Sequence, residues 1–160
     1  MSMASEKRQE AFKRILFCTD MSRNAEFAFN YALSALRPEH GAELHLLHVI
    51  PETEAQFWKT YVYELEGVDE KAKRDLDQEI KSSYLSRVPE GLALKVEYRI
   101  GKDWREILAY ASEREIDLIV IGREASSEAR RALFGSIVEL VARKAECAVL
   151  ILPKSLESRA

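Results

Sequence analysis

The sequence predicts an α/β protein, a parallel β-sheet with helices on both faces. Three observations lead there. Short apolar, β-branched runs alternate with amphipathic helical stretches along the whole chain. One of those runs, "DLIVIG" at 117–122, is nearly all apolar, as a central parallel strand covered on both sides requires. The 160 residues, 47% apolar and 32% charged, make one domain able to bury most of the surface its unfolded chain exposes.

"KRILFCTD" (13–20) reads as the first strand, a β-branched and aromatic run ending in a polar turn. "MSRN" then offers Ser22 or Asn24 as the cap of a helix whose stripe is Ala28, Tyr31, Ala32 and Ala35. Pro38 and Gly41 stop it, and "ELHLLHVI" (43–50) forms the second strand, ended by Pro51. Trp58, Tyr61, Val62 and Leu65 suggest a short amphipathic helix, and Gly67 breaks it. Ala72, Leu76, Ile80 and Tyr84 recur every four residues, which predicts a longer helix closed by "VPEG". "LALKVEYRI" (92–100) alternates strictly and so predicts a strand with one polar face, suited to an edge. After Gly101, "DWRE" reads as a capping box with Asp103 as cap and Glu106 as its partner. Trp104, Ile107, Leu108 and Ala111 make the buried face of that helix. "DLIVIG" follows, then a polar loop, a helix from about 135 to 146, and a last strand "CAVLIL" (147–152) before Pro153. The domain spans 13–153, and the tails 1–12 and 154–160 are expected to fray.

Lys and Arg number 24 against 27 acidic residues, a balance that disfavours nucleic-acid binding through phosphate neutralisation. The apolar runs are too short to span a bilayer, and the charged N-terminus "MSMASEKRQEAFKR" lacks the apolar core of a signal peptide. The expected location is the cytoplasm. Cys18 and Cys147 both sit in apolar strand-like runs with no CxxC, as buried reduced thiols do. His45 and His48 differ by three on one strand and point to opposite faces, which argues against a metal site built with His40.

In open parallel sheets, ligands bind beyond the carboxyl ends of the strands where the strand order reverses. If the order is 3-2-1-4-5, "TDMS" after strand one meets "GREASSEARRALFGS" (122–136) after strand four. Gly122 would let the backbone turn sharply and approach a ligand. Gly135 and Ser136 at a helix start would aim free N–H groups and a hydroxyl at an anion. Asp20 could accept from ribose hydroxyls or simply cap a turn. Arg130 and Arg131 could reach phosphates, while Glu124 and Glu128 bring negative charge to the same loop.

The segments "ILFCTDMSRNAEFAFNYA", "LHLLHVI", "GKDWREILAYASEREIDLIVIG" and "GSIVELVARKAECAVLILP" resemble the universal stress protein family over nearly the whole chain. The resemblance implies a five-stranded parallel sheet of order 3-2-1-4-5, Rossmann-like and of the adenine nucleotide alpha hydrolase type. One branch of that family binds ATP through G-x2-G-x9-G-[ST], and another lacks the pattern. Here the spacing persists as Gly122, Ala125, nine residues, Gly135 and Ser136, with alanine for the middle glycine. By similarity Thr19 and Asp20 would face ribose and Val49 would flank adenine. Ile121 and Gly122 would belong to the pocket, and Ser136, Ile137 and Val138 would surround the phosphates. If position 125 needs positive φ, its Cβ costs about 1–2 kcal/mol, or about tenfold in affinity.

The expected function is a cytosolic regulatory module that binds ATP or another adenine nucleotide, with Mg²⁺ as a candidate companion. The alternative is a nucleotide-free regulatory homodimer acting through protein contacts. Either implies a dimer through the last strand, Cys147 to Leu152, an apolar edge without charge or proline. No nucleophile with a base beside it stands out, so a dedicated enzyme is not expected.

Overall fold

The computed structural model describes residues 12–37, 41–53, 68–123 and 137–159, with residues 68–73 described by backbone alone. The segment expected around Trp58 to Leu65 lies outside them, as does the loop 124–136. Five parallel strands form one sheet: β1 (Arg14–Thr19), β2 (Glu43–Pro51), β3 (Leu94–Gly101), β4 (Leu118–Arg123) and β5 (Ala148–Pro153). Their order is β3-β2-β1-β4-β5. Helices α1 (Arg23–Ala35), α2 (Val68–Ser83) and α3 (Asp103–Glu113) connect them, and helical residues 137–144, called α4, precede β5.

The period-two side-chain alternation of each strand sorts the core into two layers. On one face Ile15 and Phe17 of β1, Leu44 and Leu46 of β2, and Leu118 and Val120 of β4 pack under α1 and α2. On the other, Leu16, Cys18, Leu47, Ile119 and Ile121 pack under α3 and α4. The first layer centres on aromatic rings. Phe29 lies 5.0 Å from Phe17 and 4.9 Å from Tyr84, the latter edge-on, and the Arg87 guanidinium covers Phe29 at 5.1 Å. Ile80 and Tyr84 continue the four-residue stripe predicted from the sequence.

At the edge, β3 packs Leu94 and Tyr98 against the core, while Val96 and Ile100 of the same face are exposed. Its polar side is a roof. Arg99 pairs with Glu97 and Glu113 and lies 4.9 Å above the Tyr110 ring, and Arg114 reaches Glu97 at 3.7 Å. Beneath it the Tyr110 hydroxyl meets His45 Nδ1 at 2.7 Å, with Glu43 at 3.3 Å from Nε2. Donation from Nε2–H to Glu43 leaves Nδ1 accepting from Tyr110. His48 faces the opposite layer, as the strand period requires, with Nδ1 2.9 Å from the Thr19 carbonyl.

Two expectations are corrected. Asp103 does not cap α3: the cap is Lys102, without a side-chain bond, and Asp103 is the first helical residue. Its backbone is already helical, so its carboxylate favours the helix N-terminus by charge rather than by capping geometry. Glu106 also makes no box. Its side chain lies against Gly101, where an added Cβ would stand 2.8 Å from Oε1. The chain end is not frayed through 159 either: Lys154–Arg159 form a 3-10 helix. Leu156 packs on the core and Glu157 pairs with Arg23 of α1 at 3.1 Å.

Candidate ligand site

From β1 the sheet extends through β2 on one side and β4 on the other, which leaves a crevice beyond the carboxyl ends of these strands. The empty space in and in front of it, open solvent included, is about 750 Å³. Leu47, Val49, Ile107, Ile121, Ile137 and Val138 give it an aliphatic side. Asp20 and Ser22 from the turn into α1, with Asn24 in the first turn of α1, give it a polar side that Asp103 and Arg123 complete.

The β1–α1 turn is tightly specified. Met21 has φ 64, a left-handed conformation that costs a non-glycine residue about 1–2 kcal/mol. Two hydrogen bonds hold it. Met21 N–H donates to Thr19 Oγ1 at 2.9 Å, and Ser22 N–H donates to Asp20 Oδ1 at 2.9 Å. Ser22 then caps α1 by accepting from Ala25 N–H at 3.1 Å. Strain kept in this way at the mouth of a cavity fixes where the Asp20 carboxylate stands.

Thr19 lines the crevice, but its hydroxyl is used elsewhere. It lies 2.6 Å from the Tyr84 hydroxyl on the opposite face, in the aromatic layer. Burial pushes the Tyr84 phenol up to about 12, so it remains protonated. Cys18, on the crevice floor, is also held protonated, first by burial and then by the Asp103 charge. The thiol is therefore a packing group and not a nucleophile.

Gly122 has a physical reason different from the expected sharp turn, since its φ is not in the left-handed region. The demand is for space: a Cβ there would lie 2.7 Å from Asn24 Nδ2 and 3.5 Å from the Asn24 carbonyl oxygen. Asn24 is 2% exposed, and its Oδ1 is the buried side-chain acceptor without a hydrogen-bond partner among the described residues.

Of the residues expected at the site, Thr19, Asp20, Val49, Ile121, Gly122, Ile137 and Val138 all line this one crevice. Ala125, Gly135 and Ser136 lie outside the described residues, as do Glu124, Glu128, Arg130 and Arg131. Sequence reading missed Asn24, Asp103, Leu47 and Ile107 as lining groups. Asn24 and Asp103 were visible only as cap candidates. Leu47 and Ile107 were indistinguishable from any other core residue.

Comparison with known proteins agrees with this fold. The chain is 27% identical over 158 residues to universal stress protein MJ0577 of Methanocaldococcus jannaschii, covering 89% of this chain and 96% of that one. The solved structure of MJ0577 superposes with a TM-score of 0.68 over 91% of this chain and 98% of its own. Two other solved relatives share the fold. One is a universal stress protein in complex with cAMP, at 19% identity and TM-score 0.58 over 89% of this chain and 98% of that one. The other is the Archaeoglobus fulgidus protein in complex with dAMP, at 20% and 0.56 over the same shares. The universal stress protein family model matches residues 11–153, and the chain belongs to that family.

Proposed function

We propose that the protein is a regulatory module that takes an adenine nucleotide, ATP among them, in the crevice between β1 and β4. The observation that carries this reading is the pairing of an aliphatic slot with an acceptor-rich rim at the switch point. A flat base suits the slot between Val49, Ile107 and Ile121, and sugar hydroxyls suit Asp20. Relatives of the same fold solved with cAMP and dAMP support it. Phosphates would then extend toward 122–136, where Gly135 and Ser136 offer N–H groups and a hydroxyl, and Ala125 and the two glutamates weaken the hold. Mg²⁺ would accompany the phosphates rather than a protein carboxylate cage. Occupancy of a crevice bordered by α1, α3 and β4 gives a natural means of altering partner contacts in the cytoplasm.

Denaturing the freshly purified protein and analysing the released small molecules by mass spectrometry tests the reading, with Mg-ATP and AMP titrated into the emptied protein. Released adenine nucleotide, or titration heat below millimolar ligand, is expected. Neither result in both experiments sinks it. Ala125→Gly is expected to tighten ATP about tenfold.

The second reading, a nucleotide-free homodimer, draws on β5. This edge strand exposes Leu150 at 37% and carries no charge between Ala148 and Pro153. Such an edge invites pairing with a second copy. A mass near 18.3 kDa by light scattering at working concentration would remove the dimer.

A further inference from the structure

A buried acceptor with no partner is costly for a folded protein, and native structures retain few of them without a use. Asn24 Oδ1 is one, on a side chain 2% exposed that lines the candidate crevice. Its surroundings are built to keep it there. Ser22 caps α1 in its place, which frees the Asn24 amide from capping duty. Gly122 gives up its side chain against Asn24 Nδ2, so the amide is wedged at the junction of α1 and β4.

We propose that Asn24 reads the sugar of the bound ligand, its Oδ1 accepting a hydrogen bond from a ribose hydroxyl. The inference rests on the nucleotide reading above and adds a specificity residue to it. An acceptor needs a donor, and phosphate oxygens have none to give. The aliphatic lining lies on the α3 and α4 side of the crevice and suits the base. What remains for the β1–α1 rim is the sugar. There Asp20 and Asn24 both line the crevice, two acceptors to match the two vicinal hydroxyls of a ribose. A site that hydrogen-bonds a hydroxyl rejects the analogue lacking it, because the analogue leaves the acceptor buried and unpaired again.

Calorimetric titration of AMP, 2′-deoxy-AMP and 3′-deoxy-AMP into wild type, Asn24→Ala and Asn24→Ser tests this, with the melting temperature of each free protein measured alongside. Wild type is expected to bind AMP about tenfold more tightly than each deoxy analogue. Both variants should lose about tenfold for AMP and lose discrimination at one hydroxyl while keeping it at the other. Their free forms should melt no lower than wild type, since the acceptor has no partner to lose. Equal weakening of all three ligands, or no weakening, overturns the assignment. A lower melting temperature with discrimination intact also overturns it, because the amide then serves the fold. Failure of wild type to bind any of the three overturns the nucleotide reading itself and this inference with it.

Discussion

The two faces of the sheet are built from different chemistry. Under α1 and α2 the layer is aromatic and closed: Phe17, Phe29 and Tyr84 interlock, and Arg87 seals Phe29 from above. Arg87 is itself held by the Glu26 and Ser83 carbonyls. Under α3 and α4 the layer is mostly aliphatic, and at the carboxyl ends of the strands it opens into the crevice. Aromatic rings bury large areas in fixed mutual geometry, so the closed face can carry stability. The open face gives up some packing to leave room for a ligand. Thr19 links the two, lining the crevice while its hydroxyl bonds Tyr84 in the aromatic layer.

Substitutions should separate these roles. Phe29→Ala removes the ring that makes two of these three aromatic contacts and is expected to cost about 3–5 kcal/mol in urea unfolding. Nucleotide affinity of the molecules still folded should hardly change. A loss of affinity matching the loss of stability would mean the two faces are not separate in function. Gly122→Ala also faces α1, but at the mouth of the crevice, and is smaller, about 1–3 kcal/mol from overpacking against Asn24. Unlike Phe29→Ala, it should also weaken the ligand. In an Asn24→Ala background the added methyl has room, and the double-mutant cycle should show a coupling of about 1 kcal/mol or more. Strict additivity would show that the space between Gly122 and Asn24 is not what requires glycine.

The smallest effect concerns His45, under the Arg99 roof. Burial lowers its pKa from the ordinary 6.5, against the raising effect of Glu43, while Lys95 and Arg114 add to the lowering. Its other close neighbour, Tyr110, stays protonated because burial raises its pKa. The unfolded chain therefore takes up this proton first. The stability His45 contributes is fully present above about pH 6.5 and is lost as pH falls through its depressed folded value. His45→Gln should flatten the stability profile below that pH, measured by urea unfolding across the range. An unchanged slope would show that His45 is not the group responsible.

Much of the fold was legible in the sequence. The five strands and their parallel arrangement follow from runs such as "DLIVI" and "ILFC", whose composition leaves little alternative. Nearest-neighbour chemistry was harder. The Asp103 capping box failed by one residue, because a cap depends on a single backbone angle that composition does not set. Tyr110 pairs with His45 across 65 residues, and no local pattern announces that meeting. For the site, it was the family resemblance, and no local period, that nominated Thr19, Val49 and Ile121 together. It could not say that the Thr19 hydroxyl turns away. Asn24 was legible only as a cap candidate, since what marks it is the absence of a partner in three dimensions.

The sheet order also shapes how the chain comes off the ribosome. β1 is both the first strand made and the central one, and its second neighbour, β4, begins at Leu118. The β2 and β3 ladders can close while the remainder is still being synthesised. Until β4 arrives, the other side of β1 has its hydrogen-bonding groups unpaired and Ile15, Leu16 and Phe17 beside them. A nascent chain halted before residue 118 is thus the form most open to strand pairing with its neighbours and most in need of a chaperone.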